Sequence, residues 1–336
     1  MRYFKGYLVL VIYFLLHSCC SESPSDEPLL NLINESGKVM VGFEPDAPPI
    51  YFEDSAVKKG IEYELLKYLA ENTFAHVKIN TIEKSFDELP EELRSGRIQI
   101  MAGGRTYTGS KEELCSQSYL SFGYALVTSN SNADKFKSLT DLIAARIGVY
   151  DEGAEQWLRS KIPTAQINII GSLENENTPE SDWMSAIIDG QVDAVVYDFP
   201  FAAVELGDYD DKLTITNSNL NGNELSEYVL IINKRAIGSK ELMDSINVGI
   251  QNFKKTSAFS DAVNRYIPFP NKSPGMRQGA LEGYAIQTGE TLSTLARDHL
   301  GDVHRWREIY SLNSDVLASP DIVFTGQVIK KPAGWR

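Results

Sequence analysis

From residue 37 to 270 the chain alternates two patterns: short apolar runs, and longer stretches in which apolar residues return at helical spacing. The runs at 38–43, 77–82, 98–102, 146–150, 167–170, 193–197 and 228–233 predict strands, and 50–52 restarts extended chain after the loop Pro45-Asp46-Ala47-Pro48-Pro49. Ile61, Leu65, Leu66 and Leu69 share one face of a predicted helix over 60–72. Further helices are predicted over 86–95, ended by Gly96, from 155 to 160, over 240–256 and over 257–266. Strands and helices in alternation build α/β layers.

A smaller unit follows over 284–332. Tyr284 and Ile286 alternate with polar residues, as in a half-buried strand, and Gly289 ends it. Thr291 can cap a helix that places Leu292, Leu295, Ala296 and Leu300 on one face, with Gly301 as its stop. A second helix carries Trp306, Ile309 and Tyr310, Asn313 follows as a turn residue, and 323–329 is the returning strand. Trp306 and Leu295 are read as core, because so small a unit must fill its interior with them.

The start of the chain has Arg2 and Lys5, an apolar run over 7–16 and a small residue, Ser18, before Cys19. That layout reads as a signal peptide over 1–18. The polar stretch 19–36 reads as a tether, and 269–283, with Pro270, Pro274, Gly275 and Gly279, as a flexible linker. No other stretch supplies the ~20 apolar residues of a membrane-spanning helix.

Acidic residues outnumber basic ones, 46 to 32, for a formal charge of -14. This argues against nucleic acid as a partner and against a basic membrane-binding face. Cys19, Cys20 and Cys115 allow neither a disulfide framework nor a zinc spacing, and with four histidines in the chain no metal site or cofactor is expected.

Three resemblances sharpen this reading. Leu16-His17-Ser18-Cys19 resembles a bacterial lipobox, which implies a lipid on Cys19, and Cys20 beside it implies the outer rather than the inner membrane. Gly289-Glu290-Thr291-Leu292, Leu295-Ala296, Trp306, Ile309, Asn313, Pro320, Ile322, Gly326, Val328 and Pro332 resemble a lysin-motif (LysM) module. That family is a βααβ domain binding N-acetylglucosamine chains. The resemblance implies a shallow groove with Gly289, Glu290, Thr291 and Leu292 facing Ser319, Pro320, Asp321 and Ile322, and peptidoglycan as partner. Finally, the Pro-Pro loop, Gly60-Ile61-Glu62-Tyr63-Glu64-Leu65, Leu93-Arg94-Ser95-Gly96-Arg97, Thr106-Tyr107-Thr108, Gly148-Val149-Tyr150-Asp151-Glu152-Gly153 and 193–200 follow one another as in the family 3 extracellular solute-binding proteins.

That last resemblance implies a two-lobed periplasmic-binding-protein fold over 37–268. Lobe one would hold 37–125 and 230–268, lobe two 126–229, with a ligand cleft between them and a permease as possible partner. In such receptors a hydroxyl and nearby backbone meet the ligand, which implies Thr106 and Gly104 here. The arginine that forks onto a ligand carboxylate is replaced by Lys111, a point charge without the fork. Arg105 would point away from Thr106 along a strand. The helix N-terminus that also meets the carboxylate implies Asp151 and Gly153, but Ala154 stands where a threonine is usual. Asp198 matches the amine-binding aspartate; followed by Phe199-Pro200, it equally suits a helix N-cap. Ala47 stands where an aromatic usually covers the ligand, leaving Tyr51 or Phe52 as substitutes. Lys111 equally reads as a solvated surface charge, and Asp46, though a ligand-contact candidate, and Glu62 read as solvated carboxylates.

No Gly-x-Ser-x-Gly or His-Glu-x-x-His pattern is present. The expected function is therefore that of a non-enzymatic, lipid-anchored receptor for a small polar solute: amino-acid-like, cationic, or a peptidoglycan fragment. A cell-wall adaptor with a degenerate cleft, and a dehydratase-like or peptidoglycan-related cleft enzyme, are the alternatives. On sequence grounds, removing 276–336 should weaken peptidoglycan pull-down and leave the body folded; undiminished pull-down would sink the LysM reading.

Overall fold

The computed structural model describes residues 27–107, 109–150, 152–170, 183–209, 211–268 and 283–336. The signal peptide, Cys19, Thr108, Asp151 and the linker residues 269–282 lie outside the described residues.

Two five-stranded sheets form the two lobes. In the first, Lys38–Phe43 pairs in parallel with Lys78–Glu83 on one side and Ile100–Met101 on the other. Ile231–Asn233 then joins antiparallel to Ile100–Met101 and to Glu113–Cys115 at the edge. In the second, Gln166–Ile169, Arg146–Val149 and Ala194–Asp198 run parallel, and Tyr124–Ser129 and Leu213–Asn217 add antiparallel strands. The chain passes between lobes through a separate antiparallel pair, Leu120–Phe122 and Ser226–Tyr228. These are the hinge strands.

Helix Ile61–Asn72 buries Ile61, Leu65, Leu66 and Leu69, as its periodicity requires, against the sheet and helices Ser239–Phe253 and Ser257–Tyr266. Each such side chain contributes about 1.5–3 kcal/mol by leaving water. The helix enters from Gly60 at φ 120°, where a Cβ would fall 2.0 Å from the Ile50 carbonyl oxygen. Only glycine brings the chain that close.

Several expectations fail for physical reasons. Strand Tyr124–Ser129 is buried along both faces apart from Ser129, so it carries no period-two signal. The single strand over 228–233 is two, because Val229 leaves the hinge to donate its N–H to the Arg105 carbonyl at 2.8 Å. The helix over 86–95 shortens to Leu89–Arg94, with Pro90 in its first turn. The stretch 19–36 is not a tether throughout: Leu29–Ser36 is a helix with Ile33 buried, and the Leu29 N–H bonds the Ile237 carbonyl at 2.8 Å. The packed body therefore begins near residue 29.

In the C-terminal unit, Tyr284–Ala285 pairs antiparallel with Val328–Ile329. Between them lie Leu292–Leu295, extended by a π-helical turn to Leu300, and Trp306–Leu312. The Thr291 hydroxyl accepts the Thr294 N–H at 3.1 Å, so the predicted cap forms. Ile286, Leu292, Leu295, Ala296, Ile309 and Ile329 make a small core. Ala318, Ile322 and Phe324 belong instead to the core of the main body. The return strand is accordingly short, since 323–325 is occupied in binding Asn264 rather than a neighbouring strand. Removing 276–336 would thus strip apolar cover from the body, and a lowered melting temperature is expected where sequence alone suggested none.

Replacing Gly60 by alanine forces both the positive φ and the approach to Ile50 to change. Destabilisation of about 2–3 kcal/mol is expected in urea unfolding; a midpoint within error of wild type would refute that account of the turn.

Candidate functional site

The strand Ile100–Met101 runs into the turn Gly103-Gly104, both at positive φ (97° and 69°). Glu62, in the first turn of its helix, lies directly beneath. Its carboxylate accepts the Gly103 N–H at 2.5 Å and has no exposed surface. Glu62 is therefore not the solvated carboxylate its polar neighbourhood in the sequence suggested. Burial pushes its pKa from 4.5 up to about 7, against the opposing pull of the Gly103 and Gly104 N–H groups and the Arg105 charge. Tyr119 is itself fully buried and raised well above the phenol range, first by burial and then by the Glu62 charge. Glu62 Oε1 and the Tyr119 hydroxyl are left without hydrogen-bond partners.

Arg105 turns away from the cleft, though not by strand alternation, since the strand ends at Met101 and the Gly103-Gly104 turn precedes it. Its guanidinium lies 3.3 Å from the Phe86 ring centroid and donates to the Phe86 carbonyl, and burial lowers its pKa to about 10. Its own carbonyl is tied to Val229 just past the hinge. The Gly103–Arg105 segment is thereby fixed from below and behind, with Thr106 exposed at its end.

Lobe two and the hinge supply a wall of packed rings, with Tyr197 and Tyr228 buried in the core and Tyr150 and Phe201 half-buried. Tyr150 stacks on Tyr197 at 4.6 Å, Tyr197 lies parallel to Phe201 at 6.0 Å, and Phe201 meets Tyr228 edge-on at 6.3 Å. Phe201 reaches across to lobe one: a Cβ on Gly104 would lie 3.8 Å from its ring and 3.6 Å from Ile50. A Cβ there would make only ordinary contacts, so it is the positive φ rather than space that favours glycine at 104. Asp198 sits at the foot of this wall, where strand Ala194–Asp198 gives way to helix Phe199–Glu205. Its carboxylate forms no side-chain cap bond to that helix and instead accepts the Tyr228 hydroxyl at 2.7 Å. Burial and the neighbouring Asp198 charge hold the Tyr228 phenol protonated, as a fixed donor.

Gly104 and Asp198 are linked across the lobes through Phe201 and Tyr228, and Thr106 lies exposed two residues past Gly104. Lys111 and Asp46 are exposed, Gly153 is exposed in the first turn of Glu152–Lys161, and Asp151 lies outside the described residues. Tyr51 is no ligand cover. It is buried against Phe43 at a ring distance of 3.9 Å, and its hydroxyl binds Glu83 at 2.6 Å and Lys58 at 2.7 Å inside lobe one. The sequence reading passed over Phe201, Tyr197, Tyr150 and Tyr228. A signal was available in the aromatic residues spaced around Asp198, but that pattern also suits plain core.

Of the residues implied for a glycan groove, Gly289, Asp321 and Ile322 meet the body, while Glu290, Thr291 and Leu292 are engaged within the C-terminal unit. Ile322 and Leu292 are buried, Thr291 is nearly so, and Glu290 accepts the Tyr284 hydroxyl at 2.7 Å. A Cβ on Gly289 would sit 3.3 Å from the Ser257 side chain of lobe one. Asp321 accepts the Ser121 N–H at 2.8 Å and pairs with Lys254 at 2.8 Å, with Pro320 half-buried beside it. Among the described residues no cluster of His, Cys, Asp or Glu could hold a metal, and no helix is long and apolar enough to cross a membrane.

Two α/β lobes on a crossing strand pair, with loops of both lobes converging between them, define a periplasmic-binding-protein fold. Residues 39–269 match the bacterial extracellular solute-binding proteins, family 3, and the chain belongs to that family. It is 24% identical over 238 residues to the L-cystine-binding protein TcyJ of Escherichia coli (strain K12), across 70% of this chain and 84% of that protein. It is 28% identical over 191 residues to the membrane-bound lytic murein transglycosylase F of Stutzerimonas stutzeri (strain A1501), across 56% of this chain and 38% of the transglycosylase. Among solved structures, an ancestral arginine-binding protein bound to arginine aligns with TM-score 0.53 and 26% identity, over 68% of this chain and 98% of that one.

Glu62 gives this site a measurable pH signature. The folded protein holds the carboxyl proton more tightly than the unfolded chain, so stability falls as pH rises from 4.5 through about 7. The loss amounts to about 3 kcal/mol. Glu62→Gln keeps an oxygen for the Gly103 N–H and removes the titration. Its urea midpoint should exceed wild type above about pH 7 and vary less below it; an unchanged slope would show that Glu62 does not titrate there.

Proposed function

We propose that this protein is an extracytoplasmic receptor for an amino-acid-type solute carrying a cationic group. It is read as a binding protein rather than an enzyme, anchored by a lipid on Cys19 and held to peptidoglycan by a C-terminal LysM module. The observation that carries the cleft reading is Asp198: a carboxylate at the lobe junction, held by Tyr228 and bordered by Phe201 and Tyr197. A carboxylate beside aromatic faces suits an ammonium or guanidinium, which gains from charge and from the ring quadrupole together. The relatives named for cystine and the aligned receptor bound to arginine support an amino-acid class of ligand. Lys111 stands where a forked arginine is usual, so the ligand's carboxylate is held less specifically than its cation.

The wall reading draws support from the similarity to a murein transglycosylase and from the strand–helix–helix–strand order of 284–329. The closest rival is an adaptor whose lobes no longer bind solute. The meeting of Phe201 with Gly104 and Ile50 favours it, since that contact fills part of the junction.

Thermal unfolding with basic amino acids, cystine, polyamines and muropeptides separates these readings. A ligand that binds the folded state alone adds about 2.7 kcal/mol at a hundredfold excess over its dissociation constant. A shift confined to cationic amino-acid-type compounds is expected. Asp198→Asn, which keeps an acceptor for Tyr228, should weaken that binding by about ten- to hundredfold. No shift across the panel would overturn the receptor reading in favour of the adaptor.

A further inference from the structure

The C-terminal unit docks on the body through residues on both sides of the groove that its resemblance assigns to glycan: Gly289 on one, Asp321 and Ile322 on the other. On one side, Gly289 lies against Ser257, at the start of helix Ser257–Tyr266. On the other, Asp321 accepts the backbone N–H of Ser121, inside the first hinge strand, and pairs with Lys254 just beyond helix Ser239–Phe253. Asn264 brackets the same segment, donating to the Val323 carbonyl at 3.2 Å and accepting the Thr325 N–H at 2.8 Å. Ile322 and Phe324 are sunk in the core of the body. The contact also reaches the loop that feeds the second hinge strand: Asn219 donates to the Tyr310 hydroxyl at 3.0 Å, and Leu225 packs on the unit's own core.

These contacts are specific rather than incidental. Asp321 is a carboxylate left with little exposed surface, and both a backbone N–H and an ammonium satisfy it. A buried carboxylate is tolerated only with such partners. Asn264 uses its donor and its acceptor at once on one three-residue stretch.

We infer that docking on the hinge and glycan binding compete for one surface, so that the unit is latched against the body until a glycan chain displaces it. The inference rests on the LysM reading of 284–332. A sugar chain laid between 289–292 and 319–322 would occupy the space now held by Ser257, Lys254 and the hinge strand. The unit must therefore leave the body to take its ligand, and its apparent affinity is lowered by the fraction of molecules that are latched.

The test uses the full-length protein, an N-acetylglucosamine pentamer and two body-side variants, Lys254→Glu and Asn264→Leu, neither of which lies in the implied groove. Sugar affinity is read by calorimetry and latching by hydrogen exchange at the Ser121 amide. Both variants should expose Ser121 and bind the pentamer about tenfold more tightly than wild type. Adding pentamer to wild type should expose Ser121 as well. Equal affinity in wild type and variants, with Ser121 exposed only in the variants, would overturn the competition and leave glycan binding standing. Sugar bound with Ser121 still protected would do the same. Absence of sugar binding in all three proteins would overturn the competition together with the LysM reading, while a ligand shift from the cleft, measured in the same samples, would leave the receptor reading intact.

Discussion

The antiparallel pair Leu120–Phe122 and Ser226–Tyr228 carries the chain between two sheets that otherwise share no strand. Each hinge strand is only three residues long, so its few polar groups are committed several times over. The Tyr228 hydroxyl holds Asp198 of lobe two, and the Tyr228 carbonyl accepts the Tyr119 N–H. The Ser121 N–H is taken by Asp321 of the C-terminal unit. Immediately beyond, Val229 holds the carbonyl of Arg105, and Ser116 binds both polar groups of Leu230. Buried backbone groups must be paired. Here the pairing fixes the 103–105 turn of lobe one, the Asp198 carboxylate of lobe two and the C-terminal unit to one short ladder.

The two sides of the cleft meet that ladder by different physics. Lobe one offers backbone: a double-glycine turn held from beneath by Glu62, with the Arg105 side chain turned away onto Phe86. Lobe two offers side chains: a carboxylate and a row of rings. The burial that lets Glu62 pin the turn also raises its pKa to about 7, so the support beneath the loop loses most of its charge in mildly acidic surroundings while its hydrogen-bond acceptor remains. The negative charge available at the junction is then that of Asp198.

Much of this was legible in order and spacing. The strands over 38–43, 146–150 and 193–197 follow from short apolar runs, buried on both faces in the folded chain, and the helix over 60–72 and its inward face follow from periodicity. The two-lobed architecture followed from the sequence of motifs rather than from any one of them. What escaped has a common cause. Tyr124–Ser129 is buried on both faces and shows no alternation. Glu62 reads as a surface charge on an amphipathic helix, and its burial depends on Gly103 lying over it, forty-one residues away. Tyr51 reads as a cleft aromatic, but Glu83 and Lys58 draw its hydroxyl into the lobe. Phe201 gains meaning only from Gly104 across the junction. Local pattern reports which face of an element is dry; it does not report which distant backbone closes over it.

The same limit applies most strongly to 318–325. Read locally, Ile322 and Phe324 belong to a small module's loop and strand; in the folded chain they fill the core of a neighbour. The consequence reaches the hinge. The docked unit holds both Leu120–Phe122 and the loop at 219–225, through Asp321 on one and Tyr310 and its core on the other. A change of lobe angle therefore either carries the unit along with strained contacts or breaks some of them. In thermodynamic terms, docking and lobe angle share a coupling free energy, and whatever shifts one equilibrium shifts the other by the same factor. A small unit bound at the periphery of either lobe would have no such leverage; its position across the strand pair supplies it.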